Sequence, residues 1–291
     1  MPDRYVIITS VYNEAEHITR TLDSVLKQTI LPVTWIIVDD GSTDNTLKIL
    51  SGYSEKHDFV KIISSQKSQV EFGAHVAYNF DIGLNSVEDD SYDFLVKLDG
   101  DLDIDDITFF EYQLKKFEHL PKLGISSGLT YSVVDGKKIL TSSRPYWRTG
   151  GAMKVYRKEC FEQIGGIQPI YGWDGLDEYL AMYYGWKTRT FFNLHVNHLG
   201  KKRALAREGQ KDLFYKKGES YYKRGYPVEF LILKVLKLSL KNRIFGMALY
   251  KGYLNSKVSG NMQLVDKNQK KFIRKIQYMR VLDKFTSKEL L

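Results

Sequence analysis

Runs of β-branched and apolar residues alternate with amphipathic stretches through the first hundred positions. Tyr5–Val11 (YVIITSV) reads as a buried strand. Asn13 then precedes a helical pattern with Glu16 three residues on, a relative of the capping box. Ile18, Leu22, Val25 and Leu26 fall on one face of that helix. Pro32 closes the unit, and 33–38 (VTWIIV) is a second strand. Asp39-Asp40-Gly41-Ser42-Thr43-Asp44 is a turn rich in cap residues, and it opens a helix bearing Leu47, Leu50 and Tyr53. A third strand is predicted over 59–63, a helix over 73–85, and a strand over 93–98 (DFLVKL) that runs into Asp99-Gly100-Asp101. Strands alternating with helices predict an α/β fold with a mostly parallel central sheet and right-handed crossovers.

From 123 to 156 the pattern changes to short β-like runs separated by Gly and Pro. A helix is expected over 175–184 and a strand over 188–196. Beyond Gly200 the chain reads as helical and basic. There is no internal repeat and no low-complexity tract.

Composition narrows the class. The 291 residues are 43% apolar and 27% charged, which excludes global disorder. The length allows one large domain, or a domain with an appendage. A lone cysteine, Cys160, excludes a disulfide framework and a cysteine-only metal site. It fits a reducing compartment, so a cytoplasmic location is expected. The N-terminal apolar stretch reaches Asn13-Glu14 too soon for a signal peptide. The longest apolar stretch, 230–240, is broken by Lys234 and Lys237, so no transmembrane helix is expected.

The net charge of +8 hides an asymmetry. Residues 1–200 carry 20 Lys+Arg against 28 Asp+Glu, and residues 201–291 carry 23 against 7. An acidic two-thirds is joined to a strongly basic third, which implies an anionic partner for the basic part.

In open α/β sheets, ligands bind beyond the carboxyl ends of the strands. Asp39-Asp40 and Asp99-Gly100-Asp101-Leu102-Asp103 both stand at such ends, on the same edge of the sheet. A single Asp cluster is ordinary turn chemistry. Two clusters crowded on one edge repel each other unless a cation arrives. Asp-x-Asp lets two carboxylates approach one hard divalent ion, Mn²⁺ or Mg²⁺, and Gly100 is expected to leave room for a diphosphate. Asp39 offers an acceptor to a base N–H or a ribose hydroxyl. Uracil N3–H is a suitable donor, which favours uridine.

Val11-Tyr12-Asn13-Glu14, Val38-Asp39-Asp40-Gly41-Ser42-Thr43-Asp44 and Leu98-Asp99-Gly100-Asp101, in that order, resemble the inverting nucleotide-sugar glycosyltransferases of family 2, with the GT-A fold. The resemblance covers about residues 4–200. It implies a catalytic domain over 1–200, with a donor-binding half over 1–105 and an acceptor half over 106–200, followed by a basic helical extension over 201–291. It implies that Thr9, Tyr12 and Glu14 line the nucleotide pocket, that Asp39 contacts the base, that Asp99 contacts the ribose or sugar and shares the metal, and that Asp101 ligates the metal. Asp103 is a helper. Gly150-Gly151-Ala152-Met153 matches a small-residue stretch beside the donor sugar. His198 is the candidate third metal ligand, with His195 its competitor on the opposite strand face.

The resemblance places the catalytic base about eleven residues before Gly185-Trp186-Lys187. That spacing selects Asp174, with Asp177 and Glu178 as alternatives on the same helix face. Trp173 stands where the family usually carries the first acid of a pair. Ser10 stands where Pro is frequent. Ala77-Tyr78-Asn79 replaces Ala-Arg-Asn, so Lys67, Lys201, Lys202 or Arg203 is the candidate basic contact to the donor phosphates.

The implied reaction transfers a sugar from a nucleotide-sugar donor, a UDP-sugar by preference, to a glycan or lipid-linked glycan acceptor in polysaccharide biosynthesis. A nucleotidyltransferase is the alternative enzyme, but it needs a Gly-rich loop with Arg and Lys where Thr9–Glu14 stands. A degenerate, non-catalytic binder is the other alternative. In the basic tail, Lys234, Lys237 and Lys241 lie near one face of a helix over 229–241, and Phe230, Leu233, Leu236 and Leu240 on the other. That pattern fits peripheral attachment to an anionic membrane at its inner face rather than nucleic acid. A solvated basic face packed on the catalytic domain is the plain alternative.

Overall fold

The computed structural model describes residues 4–65, 73–88, 91–134, 137–141, 145–200 and 207–286. The chain divides into two compact units, Met1–Pro169 with Trp173–Lys202, and Ile170–Gly172 with Arg203–Leu291.

The first unit opens with β1 (Tyr5–Val11), α1 (Ile18–Leu26), β2 (Thr34–Asp39), α2 (Thr46–Ser54), β3 (Val60–Ser64), α3 (His75–Asn85) and β4 (Phe94–Leu98). β1 pairs in parallel with both β2 and β4, and β2 with β3. β1, β2 and β4 are buried along nearly their whole length, as a sheet covered on both faces requires, while β3 at the edge is only partly buried. Because β1 lies between β2 and β4, the carboxyl ends of those two strands flank one sheet edge. Asp39 and Asp99 therefore emerge on the same side.

The second half of the unit comprises β5 (Leu102–Asp103), α4 (Phe109–His119), β6 (Leu123–Val134), β7 (Lys137–Leu140), β8 (Met153–Arg157), α5 (Lys158–Gln163), α6 (Trp173–Tyr183) and β9 (Lys187–His198). Here the sheet becomes mixed. β8 runs antiparallel to both β4 and β6, β9 is parallel to β6, and β5 closes the edge antiparallel to β9. The strand order is β3-β2-β1-β4-β8-β6-β9-β5, with β7 hairpinned onto β6. The Gly- and Pro-punctuated stretch between β6 and β8 contains no crossover helix among the described residues. Without one, a neighbouring strand returns antiparallel.

The start of α1 also differs from expectation. Asn13 adopts φ 54° rather than capping a helix. Its Oδ1 accepts from Thr43 N–H at 2.8 Å, and its own N–H donates to Ser42 Oγ at 2.9 Å. Asparagine tolerates the left-handed region, so 13–17 becomes a turn stitched to the loop after β2. Gly100 has a packing reason of its own. A Cβ there would lie 2.6 Å from Val11 Cγ1 and 3.4 Å from Ile18 Cδ1. The residue must therefore be small where β4 hands over to its loop against β1 and α1.

The second unit is helical: α7 (Arg207–Lys223), α8 (Val228–Lys241), α9 (Arg243–Val258) and α10 (Lys267–Thr286). α8 follows Pro227, and α9 is capped by Asn242, whose side chain accepts from Ile244 N–H and Phe245 N–H. Leu231, Leu249 and Tyr253 form its small buried core, with Phe214 and Tyr222 packed against them.

Replacing Gly100 by Ala is expected to cost about 1–3 kcal/mol through overpacking. Urea denaturation of G100A, V11A and the double variant checks it. Relief of the clash makes the double variant more stable than the sum of the singles; strict additivity would contradict the packing account.

Candidate active site

β4 ends at Leu98, and Asp99 N–H donates to the Ala152 carbonyl at 3.0 Å, just before β8. Two residues on, Asp101 meets the far end of the sheet. Leu102 pairs with His198 across the β5–β9 ladder, and Leu199 N–H donates to the Asp101 carbonyl at 2.8 Å. This pairing brings His198 Nε2 to 3.5 Å from Asp101 Oδ2. Asp99, Asp101 and His198 each offer a ligand atom, and these atoms lie within 4.8 Å of one another. His198 Nδ1 is 3.2 Å from the Gly200 carbonyl. That contact suits Nδ1–H as donor and leaves Nε2 with its lone pair toward the carboxylates.

The Asp101 carboxyl is pushed above the usual range, first by burial and then by the Asp99 charge, against the pull of His198 and Lys97. Two crowded carboxylates beside an imidazole are a donor set that a hard divalent cation fits. The other candidates lie elsewhere. Asp103 forms an ion pair with Arg20 and is not one of the three grouped ligands. His195 is exposed, its ring against Tyr131.

On the other side of β1, Asp39 is 1% exposed. Its Oδ2 accepts from Gly41 N–H and Ser42 N–H at 3.2 and 3.0 Å. Its Oδ1 is buried and finds no hydrogen-bond partner among the described residues. An acceptor left so is costly unless a ligand donor completes it. Tyr12 and Glu14 follow directly from β1, and Glu14 N–H is held by Thr46 Oγ1 at 2.9 Å. The expectation for Thr9 is corrected: its side chain is fully buried and its hydroxyl accepts the Trp35 indole N–H at 2.9 Å, so it serves the core. Asn79 Nδ2 donates to Ser10 Oγ at 2.8 Å, a bond that proline at position 10 could not supply. Lys67, Lys201, Lys202 and Arg203 lie outside the described residues.

The third part of the site is built on α6. Asp174 is in its first turn and is partly exposed. A Cβ placed on Gly151 would lie 3.0 Å from Asp174 Oδ2, so the glycine admits the carboxylate. Asp177 and Glu178 are 3% and 0% exposed. Asp177 Oδ2 accepts from Lys154 Nζ at 2.6 Å and from the Tyr156 hydroxyl at 2.7 Å. Glu178 accepts from Thr149 N–H and Oγ1–H at 2.6 and 2.7 Å and pairs with Arg148 at 2.9 Å. Burial pushes the Glu178 carboxyl up, while Arg148 and Lys154 pull it down. These two acids pin the strand β8 and the loop before Gly151; neither faces solvent.

Two lysines complete the arrangement. Lys97 Nζ pairs with Asp99 and donates to the Gly151 carbonyl at 2.7 Å. Lys154 Nζ donates to the Asp174 carbonyl at 2.8 Å. Both ammonium groups stand 5.4 Å from the Trp173 ring centroid. Trp173, where a carboxylate is usual, is thus a cation-π partner for both. Sequence reading passed over Lys97, Lys154 and Arg148. The available signal for the two lysines was a lysine inside each of two strand runs, FLVKL and MKVYR; Arg148 lies outside both.

Residues 6–171 match the family model described as Glycosyl transferase family 2. Over 121 residues the chain is 35% identical to a poly-beta-1,6-N-acetyl-D-glucosamine synthase of Staphylococcus epidermidis and 32% identical to one of Staphylococcus aureus. Each match spans 42% of this chain and 27% of the relative, so the chain corresponds to about a quarter of the length of these relatives. Among solved structures, S. aureus TarS 1–349 in complex with UDP-GlcNAc aligns with a TM-score of 0.58 at 16% identity, covering 93% of this chain and 78% of that one. The mannosyltransferase PcManGT from Pyrobaculum calidifontis, in complex with GDP-Man and Mn²⁺, aligns with a TM-score of 0.56 at 15% identity, covering 97% and 82%. At such identities the likeness is one of fold, the GT-A fold.

Lys154→Met strands the buried Asp177 carboxylate and is expected to cost about 3–5 kcal/mol. Asp177→Asn in the same chain should return part of that loss. Urea melts of K154M and K154M/D177N check it; a single-variant loss under about 1 kcal/mol, as for a surface pair, would contradict the buried-pair account.

Proposed function

The chain belongs to glycosyl transferase family 2, and from that membership and the geometry of the site we propose that it is an inverting glycosyltransferase using a nucleotide-sugar donor, with a UDP-sugar first in line. The observation that carries this reading is the meeting of Asp99, Asp101 and His198 at one end of the site with Asp174, held beside Gly151. Lys97 links the two ends, through Asp99 and the Gly151 carbonyl.

Asp39 accepts the base N–H or ribose hydroxyl through its unpartnered Oδ1. Asp99, Asp101 and His198 would hold Mn²⁺ or Mg²⁺. Such an ion would supply charge neutralisation for the departing diphosphate. Asp174 removes the proton of the acceptor hydroxyl as its oxygen attacks the anomeric carbon. The bond from that carbon to the diphosphate oxygen breaks in the same displacement, and the configuration inverts. Asp174 is preferred over Asp177 and Glu178 because those two carboxylates are enclosed and already committed to Lys154, Tyr156, Arg148 and Thr149. UDP-N-acetylglucosamine is the first donor to test, on the strength of what the relatives and TarS are named with. The acceptor is a glycan or a lipid-linked glycan.

A donor-hydrolysis screen across UDP-, GDP- and dTDP-sugars, each with Mn²⁺ and Mg²⁺, tests the reading. Turnover confined to UDP donors and dependent on a divalent ion is the expected result. Asp174→Asn should keep UDP binding but lose about 10²–10⁴-fold in transfer. Asp101→Asn should abolish metal-dependent UDP binding in calorimetry. Full transfer by D174N would remove Asp174 from the mechanism. UDP binding indifferent to metal and to D101N would favour a non-catalytic binder instead.

A further inference from the structure

The helical second unit leaves much of its apolar surface uncovered. On α8, Val228, Ile232, Leu236 and Leu240 recur every four residues and form one row. All four are exposed, Leu240 at 91%. The face of α8 that does pack is carried by Phe230 and Leu231. The apolar side expected from the sequence is therefore split: Phe230 goes into the core, while Leu233, Leu236 and Leu240 stay outside. α9 repeats the arrangement with Met247, Leu254 and Val258, the last at 85% exposure.

The two rows are not separate. Ile232 of α8 and Tyr250 and Leu254 of α9 line one open cavity of about 460 Å³. Lys257 of α9 and Lys270 and Lys271 of α10 line the same cavity. None of these three lysines makes an ion pair among the described residues. Arg274, also at the cavity, is already paired with Glu229 at 2.7 Å. Lys237 and Lys241 border the α8 row and are exposed.

We propose that the α8–α9 face is a docking surface for an anionic phospholipid bilayer, with its leucine rows in the acyl boundary and the lysines around the cavity at the headgroup phosphates. Charge complementarity selects this partner: residues 201–291 carry 23 Lys+Arg against 7 Asp+Glu. A nucleic acid would use the same charge, but its phosphate backbone gives an exposed row of Val, Ile and Leu nothing to bury against. The helices lie on the surface rather than across it. No helix among the described residues is long and apolar enough to cross a membrane. α8, with 14 residues, is about 21 Å long, against a hydrocarbon core of roughly 30 Å. The inference is independent of the donor and of the catalytic residues.

The full chain would be sedimented with vesicles of phosphatidylcholine alone and of phosphatidylcholine mixed equally with phosphatidylglycerol. Binding is expected to the mixed vesicles, with weakening in high salt. L236E/L240E should bind at least about tenfold less tightly, since two exposed leucines leave the acyl region. Its donor hydrolysis in solution should not change. K257Q/K271Q should weaken binding to the mixed vesicles and leave the residual binding to phosphatidylcholine unaltered. Vesicle binding unaffected by L236E/L240E would overturn the proposal. So would tight, salt-sensitive binding of single-stranded RNA without vesicle binding, which assigns the charge to nucleic acid. A dimer that L236E/L240E dissociates, with no vesicle binding, would assign the face to a second copy of the chain.

Discussion

Two like charges face each other at the centre of the site. Lys97 on β4 and Lys154 on β8 are direct cross-strand partners, and both are buried. Such a pair is destabilising in a sheet unless each charge is answered. Asp99 answers Lys97, Asp177 answers Lys154, and the Trp173 ring stands at the same distance from both. Those contacts reach the end of β4, the first turns of α6 and the loop carrying Gly151. The electrostatic requirement of the pair therefore positions most of the site's backbone.

This constraint explains a departure from the family pattern. A carboxylate at position 173 would add a fourth acid to a cluster that already contains Asp174, Asp177 and Glu178. Trp173 supplies a π-face instead, which attracts the two ammonium groups without adding negative charge. Asp174 is left partly exposed, while its helical neighbours are sealed by Lys154 and Arg148. The mixed sheet has a similar consequence. Only because β9 runs out to meet β5 antiparallel does His198 arrive at Asp101.

The second unit follows a different economy of burial. Its small core rests on Leu231, Leu249 and Tyr253, while Leu233, Leu236, Leu240 and Leu254 stay exposed. A small helical unit has little interior to offer. Apolar residues beyond that interior lie outside, and here they are ordered in rows rather than scattered singly.

Much was legible in the chain itself. The strand runs, the α/β alternation and the acidic turns after β2 and β4 follow from periodicity and turn chemistry, which act over a few residues. The ordered motifs from Val11 to Asp101 were enough to indicate the family. Other features were decided only by the tertiary structure. Asn13 turned instead of capping, because its partner Thr43 lies across a loop. Thr9 went to the core, because Trp35 stands beside it on β2. Gly100 meets Val11 of the neighbouring strand β1 so closely that a Cβ would clash. The separation of exposed Asp174 from enclosed Asp177 and Glu178, and the union of Asp101 with His198, depend on strand pairings between distant segments. A local pattern fixes which face a residue takes, but not which distant charge or ring will meet it there.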